Sequence, residues 1–483
     1  MLIEGVAMET KTGNSCRFSG FIGLVAASVG MMFSPHVANA TPAFAVQTSQ
    51  PCSACHVGAY GPQLTPYGRD FKLYGYVSDD GKSHFPPVAI MERTTFTNTK
   101  DKQEGGAASG FGDNNNIAIG EISGFYTGKV TDNIGVYLEP FSYDGVNRTT
   151  GWANSEIRIV HDGKLLGVDY VAGITANNAP TVSDLWNATS QWGWPFDVTE
   201  LAPAPVAGTL IGDGTAQFQV VGAGAYAMLD DWVYAEAELY HGLSAGTRNF
   251  VGDWPVTGTD TYDGVMPYWK LALQHSFDSD HQSFEVGTMG MVANVYPGGD
   301  DMAASSDRKT DLAADANYQW FSKDNSNIIS AHALYVHENL DLHASEALAG
   351  SNPKDELQEF KANVSYAYKQ TWIPTVGFFH TWGSTDPVYW GTSTGSAIPN
   401  SQGYIAELTY VPWGKQDSPI QWGNVRFELQ YTDYTQFDGV GTHAEDNNTL
   451  FFNIGIFFDP VPPIRDAVNA IEGNSNSGSG QHS

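Results

Sequence analysis

The sequence predicts an all-β fold, a transmembrane outer-membrane β-barrel of about sixteen antiparallel strands that follows a small N-terminal segment. Three observations support this fold class: a period-2 alternation of apolar and polar residues, connections that alternate in length, and a chain rich in glycine and aromatic residues. The chain has 52 glycines, and 13% of its residues are aromatic. No stretch after Phe33 holds eighteen consecutive apolar residues, so helical membrane spans are not predicted.

The alternating runs occupy residues 86–459, and each is followed by a polar or Gly-rich connection. The clearest run, 424–431, places apolar and polar side chains on opposite faces. Its apolar face holds Val425, Phe427, Leu429 and Tyr431, and its polar face holds Asn424, Arg426, Glu428 and Gln430. Strands are predicted near 86–99, 114–128, 134–144, 154–162, 164–176, 215–228, 232–242, 266–277, 282–296, 310–322, 327–340, 356–369, 372–385, 401–412, 421–435 and 448–459.

The connections favour a membrane barrel over a soluble sandwich. Short turns are predicted at Asp162-Gly163, 229–231, 278–281, 323–326 and 370–371, and they alternate with long connections at 177–214, 243–265, 297–309, 341–355 and 386–400. Tight periplasmic turns opposite long extracellular loops are typical of bacterial outer-membrane barrels, whereas a sandwich gives no reason for this asymmetry. With an even number of strands, both chain termini are expected in the periplasm.

A barrel in lipid makes two further demands on the side chains. Charges at mid-membrane must face the lumen, because a lipid-facing charge costs about 2 to 4 kcal/mol. The acids expected in the lumen are Glu139, Glu236, Glu238, Asp315, Glu407 and Glu428. Aromatic residues near strand ends are expected to form girdles at the two lipid interfaces, and these are Trp232, Tyr240, Tyr268, Trp269, Trp320, Trp372, Trp382, Tyr410, Trp413 and Trp422.

The two ends of the chain are predicted to lie outside the barrel domain of residues 86–459. Residues 1–40 are typical of a secretory signal peptide, with two basic residues, an apolar run and the small-residue site Ala38-Asn39-Ala40. Residues 41–85 form a separate small segment, and residues 460–483 a periplasmic tail expected to be disordered. The formal net charge of −30 argues against nucleic acid as a partner and favours cationic partners or simple solubility.

The small segment contains Cys52-Ser53-Ala54-Cys55-His56. Two thiols two residues apart are spaced to add to the two vinyl groups of a haem, and the adjacent histidine is placed to bind the iron. In an exported chain this motif predicts one covalently attached haem c, with Cys52 and Cys55 as thioethers and His56 as the proximal ligand to the haem iron. One alternative is a redox disulfide, which would normally occur in a thioredoxin-like βαβ context. The other is half of a zinc site, for which this sequence lacks a second pair of ligands.

The sixth haem ligand is open between Met91, inside the first predicted strand, and His84, in the connection before it. Only about 45 residues separate the cleavage site from that strand, too few to bury a haem alone. We therefore expect the segment to sit in or against the barrel, whose lumen has room for a small plug.

The residues around the motif resemble the fused monohaem cytochrome c–porin family of bacterial outer membranes. The resemblance rests on Phe44-Ala45 before the motif and on the run 64–76 after it, and it extends to residues 91–99, 177–186 and 192–195 of the barrel. It implies electron transfer from an extracellular donor, Fe(II) or another reductant, through the haem to a periplasmic c-type cytochrome or cupredoxin. It names no substrate-binding or catalytic residue.

Three functions remain open at this point. The first is inward electron transfer, which would make the protein an electron-transfer oxidoreductase embedded in outer-membrane lipid. The second is a diffusion porin whose haem is structural or sensory. The third is an outward conduit that delivers electrons to an extracellular acceptor. An inward fold of the long connection 177–214 would favour the first over the second.

Overall fold

The computed structural model of the chain describes residues 42–61, 63–82, 86–189, 196–251, 260–297, 305–415, 422–462 and 464. The predicted signal peptide, His84 and most of the predicted tail lie outside the described residues.

Strands make up most of the described chain. They are β1 Val88–Thr99, β2 Asn116–Thr131, β3 Ile134–Asp144, β4 Thr149–Gly151, β5 Ser155–Leu165, β6 Val168–Asn177, β7 Val220–Leu229, β8 Val233–Gly242, β9 Thr261–Asp263, β10 Val265–Phe277, β11 Gln282–Tyr296, β12 Asp307–Phe321, β13 Asn327–Asp341, β14 Lys354–Tyr368, β15 Trp372–Gly383, β16 Ser401–Tyr410, β17 Gly423–Gln436 and β18 Thr449–Phe458.

These strands form one closed antiparallel barrel. Each long strand pairs with the long strands before and after it in the chain, and β1 closes the ring by pairing with β18, with Ile90 opposite Phe458. The short strands β4 and β9 only extend their successors, since β3 pairs with both β4 and β5, and β11 with both β9 and β10. The described chain therefore has sixteen barrel strands, and the predicted fold class is confirmed.

The wall of the barrel separates polar from apolar side chains residue by residue. On β8, Leu239 is 59% exposed on the outside while Glu238 is 2% exposed on the inside. All six acids predicted for the lumen are buried. Because apolar side chains cover the outer face, that face suits lipid, and the barrel is of the outer-membrane type.

The prediction of aromatic girdles was wrong at three positions. Tyr240 and Tyr268 are only 1% exposed and share the inward face with the lumen acids, and Trp422 is also buried. The Tyr240 hydroxyl donates to Asn177 Oδ1 at 2.8 Å, inside the barrel. Alternation decides the face, and the position of a residue near a strand end does not. Trp232, Trp269 and Trp372 are exposed on the outer face, as a girdle requires.

The predicted turn at Asp162-Gly163 was also wrong. The β5–β6 hairpin turns at Leu166 and Gly167, which have φ values of 54° and 87°. Two successive residues with positive φ make the turn whose twist matches that of the flanking strands. Asp162 and Gly163 instead lie within β5, opposite Val171 and Tyr170.

Helices are few and short in the described chain. They are α1 Pro42–Thr48, α2 Cys52–Cys55, α3 Pro66–Leu73, α4 Ala245–Val251 and α5 His343–Ala349, with 3₁₀ turns at Val57–Ala59 and Ala444–Asn447. None of the described helices is long and apolar enough to cross a membrane. In α3, Pro66 occupies the first turn and the Thr65 hydroxyl accepts from the Gly68 amide at 3.1 Å, which together define where the helix begins.

Candidate functional site

The N-terminal segment lies inside the barrel, at the end where the short turns are. Its side chains meet inward-facing residues on opposite sides of the wall. Arg69 Nη1 donates to Gln319 Oε1 at 2.6 Å, and the Tyr76 hydroxyl donates to Glu156 Oε2 at 2.6 Å. We call residues 42–77 the plug.

A connection longer than its neighbours at this end also holds the plug. The stretch 411–422, between β16 and β17, supplies the Gly414 carbonyl, which accepts from the Ser53 amide at 3.1 Å. This contact falls within the Cys52-Ser53-Ala54-Cys55-His56 motif, so the barrel wall positions the motif directly.

The motif is folded as one turn of helix, α2, followed by an extended residue. The His56 amide donates to the Cys52 carbonyl at 2.9 Å, and His56 then forms an antiparallel bridge with Leu64. The Thr65 amide donates to the Cys55 carbonyl at 2.9 Å, which joins the start of α3 to the motif. The plug therefore presents the two cysteines and the histidine from a backbone fixed on both sides.

All three motif side chains line one cavity of about 740 Å³ inside the barrel. Cys52 and Cys55 are 3% and 5% exposed, and no disulfide joins them. Burial raises the pKa of Cys55 to about 12 and that of Cys52 further, so both thiols are protonated in the unmodified chain. Burial lowers the pKa of His56 to about 4, which leaves the imidazole neutral, the form that binds metal.

One end of this cavity is aromatic and is built from both the plug and the barrel. From the plug, Phe44 packs edge-on against Phe71, with ring centroids 5.0 Å apart, and stacks on Tyr76 at 5.2 Å. From the wall, Phe125 lies 5.1 Å from Phe457. An apolar face shared by plug and wall is what a short segment needs to cover a large flat cofactor.

The other end of the cavity is charged. Arg93 of β1 lies there, with its Nη2 atom 2.9 Å from Asp197 Oδ2 and its Nη1 atom 3.4 Å from Glu121 Oε2. Met91, two residues before Arg93 on the same inward face, lines the same cavity. The cavity is thus apolar beside the cysteines and polar toward β1 and the long connection.

The residues present fit a covalently held haem. Two buried thiols on one helical turn, a neutral imidazole next to them and an aromatic wall meet in a single cavity of the size that cofactor sites have. The His56 Nδ1 atom is buried without a hydrogen-bond partner among the described residues. An unpartnered buried nitrogen is costly in an empty cavity, which favours a bound group at this ring.

In the long connection between β6 and β7, the described stretches 178–189 and 196–219 fold into the lumen rather than away from the barrel. The Leu210 amide donates to Glu338 Oε2 at 3.0 Å, and the Ile211 amide donates to Asp311 Oδ2 at 2.8 Å. Asp184, near the start of this connection, is held by Lys270 Nζ at 2.8 Å. We call residues 178–219 the inner loop.

Arg158 of β5 joins the wall, the plug and the inner loop. Its Nη1 atom donates to the Lys72 carbonyl at 3.0 Å, its Nη2 atom to the Ser183 carbonyl at 2.6 Å, and its Nε atom to Glu156 at 2.9 Å. Lys72 extends this contact by donating to the Asp184 carbonyl at 2.6 Å. Burial lowers the pKa of Lys72 to about 8. Plug and inner loop therefore fill the lumen as one connected body.

The structure brings Cys52, Cys55, His56 and Met91 to the same cavity, while His84 lies outside the described residues. Sequence reasoning assigned no place in the site to Phe44, Phe71 or Arg158. Arg158 points inward with Glu156 on β5, and the alternation along the strand predicts this direction. Its partners could not be predicted, because they lie on distant segments.

Comparisons with known proteins find no matching family model and no matching curated protein. Solved structures that share the barrel include the outer-membrane channel DcaP of Acinetobacter baumannii, at 11% identity, covering 77% of this chain and 96% of that one, with a TM-score of 0.43. The anion-selective porin from Comamonas acidovorans matches at 9% identity, 77% and 98% coverage and a TM-score of 0.41. The in-vitro folded OmpT of Vibrio cholerae matches at 12% identity, 77% and 96% coverage and a TM-score of 0.40. At these scores the likeness concerns the barrel and carries no argument about the lumen.

Proposed function

We propose that this chain is an outer-membrane protein of the fused monohaem cytochrome c–porin kind, which passes single electrons between the two sides of the membrane. The observation that carries the proposal is the cavity shared by Cys52, Cys55 and His56 within the lumen. Inward transfer from extracellular Fe(II) or another reductant to a periplasmic c-type cytochrome or cupredoxin is the direction we propose.

The filled lumen supports electron transfer over solute diffusion. The plug occupies the end with the short turns, and the inner loop reaches opposite sides of the wall, since Asp184 pairs with Lys270 of β10 and Asp197 with Arg93 of β1. A bulky solute that enters the barrel meets both the plug and the inner loop. An electron needs only a redox centre placed between the two ends of the barrel.

Each group of residues has a part in this function. Cys52 and Cys55 would hold the haem by thioether bonds, His56 would bind its iron, and Met91 is the proposed second protein ligand. When bound, the haem supplies a one-electron Fe(II)/Fe(III) couple. Phe44, with its aromatic neighbours, would exclude water from a bound haem.

The first experiment mixes the purified, haem-loaded protein with Fe(II) under anaerobic conditions and follows the haem absorption. We expect reduction of the haem. If Fe(II) leaves the haem oxidised at every pH tested, Fe(II) is not the donor, and other extracellular reductants are then tried in the same assay.

The matched variants are His56→Ala and His343→Ala. His343 begins α5 in an exposed connection far from the cavity. We expect His56→Ala to abolish Fe(II)-driven reduction while the barrel still shows the heat-dependent gel shift of a folded outer-membrane protein. His343→Ala is expected to transfer normally. Transfer by the His56 variant would contradict the proposed ligand.

A diffusion porin is the second candidate, because the wall is that of a porin barrel and its inward face is polar and acidic. A liposome-swelling assay with small cationic, neutral and anionic solutes separates the two functions. Electron transfer through a filled lumen predicts swelling no faster than that of protein-free liposomes, whereas a porin predicts rapid, cation-selective swelling.

A further inference from the structure

One face of helix α3 has no partner within the described structure. Tyr67 and Tyr74 are 43% and 36% exposed, and Asp70 lies between them, so the three residues follow each other at helical spacing on the outer side of the plug. The opposite side of α3 carries Gly68 and Phe71, which face the motif and the cavity.

This face is the part of the plug surface directly outside the cysteines. The backbone of Gly68 packs on the Cys55 carbonyl, so Tyr67 stands one residue away from that contact. The pKa of Tyr67 is raised by partial burial and by the nearby Cys55 thiol. A molecule resting on Tyr67 therefore lies close to Cys55.

Three consecutive turns of the barrel carry carboxylates beside this face. Exposed aspartates stand on three turns of the same end: Asp162 and Asp169 beside the β5–β6 turn, Asp230 and Asp231 between β7 and β8, and Asp278 and Asp280 between β10 and β11. Lys164 offsets one of them, since it pairs with Asp169 at 2.8 Å.

The aspartates are near enough to act on the helix electrostatically. The pKa of Tyr74 is raised by partial burial and then by Asp162, Asp231 and Asp70. The pKa of Asp70 is raised to about 6 by partial burial and by Asp231 and Asp280, against the opposing effect of Arg69. Aspartates of all three turns therefore act on the exposed face of α3.

We infer that the Tyr67–Asp70–Tyr74 face of α3 is the docking surface for a small soluble electron-transfer protein whose own docking face is rich in lysine. The inference rests on the proposed function, since it places the exit of the electron at this end. Exposed aromatic residues supply the contact area at an interface centre, and a ring of opposite charge orients the encounter.

Charge complementarity selects this occupant. A carrier with an acidic docking face would meet six like charges on these turns, and like-charge contacts at an interface are unfavourable. A lysine-rich face would pair with the same carboxylates and leave its apolar centre on the two tyrosines.

The test measures binding between the full-length, haem-loaded protein in detergent and a basic mitochondrial-type cytochrome c by titration calorimetry. Both proteins are fully oxidised, so that no electron moves. We expect binding that weakens steadily between about 10 mM and about 150 mM ionic strength, where the Debye length falls from about 30 Å to about 8 Å.

Two variant pairs locate the surface. Asp231→Asn with Asp280→Asn is expected to weaken binding at low ionic strength by roughly threefold to tenfold, and asparagine suits the positive φ of both positions. The control, Glu104→Gln with Glu346→Gln, removes two exposed charges from the long connections and is expected to bind normally.

A further comparison, of one tyrosine variant with one control variant, separates docking from general charge attraction. Tyr67→Ser is expected to weaken binding at every ionic strength, because apolar contact is not screened by salt, while Phe250→Ser in the exposed helix α4 is expected to have no effect. Equal losses in the test and control variants, or binding indifferent to salt, would overturn the inference.

The outcomes are distinct from those of the proposed function. Binding at this face without any reduction of the haem by an extracellular donor refutes the electron-transfer proposal and leaves the docking surface standing. Reduction of the haem with no binding of the basic carrier refutes the docking surface alone.

Discussion

The backbone of Gly68 in α3 packs directly on the carbonyl of Cys55, and a Cβ atom at position 68 would overlap that oxygen. Since the contact is with backbone, no side chain can move to make room. We predict that Gly68→Ala pushes α3 away from the motif, at a cost of about 1 to 3 kcal/mol to plug packing. The haem content per barrel, measured by haem staining of a denaturing gel, should fall.

Gly124→Ala is the control, because a Cβ there meets nothing within 4 Å. Full haem content in the Gly68 variant would mean that the contact does not hold the motif.

Arg158 is the second position at which one side chain supports the site. Replacing it by methionine leaves the carbonyls of Lys72 and Ser183 without their donor and Glu156 without its ion pair. Removing one member of a buried ion pair costs about 3 to 5 kcal/mol. We predict that Arg158→Met loosens the plug and the inner loop together, seen as faster chymotrypsin cleavage within both, while the strands stay protected.

The control for this prediction is Arg308→Met, an exposed arginine near the start of β12. It should leave the cleavage pattern unchanged. If only one of the two segments becomes sensitive in the Arg158 variant, plug and inner loop are held independently and do not form one body.

Much of the barrel was predictable because alternation is a local property. Strand β11 begins and ends as predicted at 282–296, and the direction of Glu238 follows from Leu239 beside it. Errors arose where another local signal competed, as when the Asp162-Gly163 dipeptide resembled a hairpin turn that the chain makes at Leu166-Gly167.

The interior could be predicted only in part. The motif alone predicts Cys52, Cys55 and His56, because covalent attachment of a haem depends on their spacing. The inner loop depends on contacts such as that of Ile211 with Asp311, residues 100 positions apart. The periodicity of the sequence does not predict which strand a loop amide will contact, so these contacts could be found only from the structure.

Met91 remains a prediction that a spectrum tests. Its side chain lines the cavity with His56, and a thioether on the iron gives the ferric haem a characteristic charge-transfer band and raises its reduction potential. Met91→Leu should remove the band and lower the potential. Met289→Leu, at a buried methionine elsewhere in the lumen, is the volume-matched control. An unchanged spectrum in the Met91 variant would exclude Met91 as the sixth ligand.

The inner loop is held by carboxylates on neighbouring strands, since Asp311 of β12 lies directly opposite Glu338 of β13. Replacing Glu338 by alanine leaves the Leu210 amide buried without its acceptor, which costs about 1 to 3 kcal/mol. We predict that Glu338→Ala lets the loop leave the wall, and that planar-bilayer recordings of this variant then show larger and more frequent current steps than those of the parent protein.

The control is Glu346→Ala, in the exposed helix α5, whose recordings should match those of the parent. If the Glu338 variant stays as quiet as its control, the plug alone closes the lumen and the inner loop has another role.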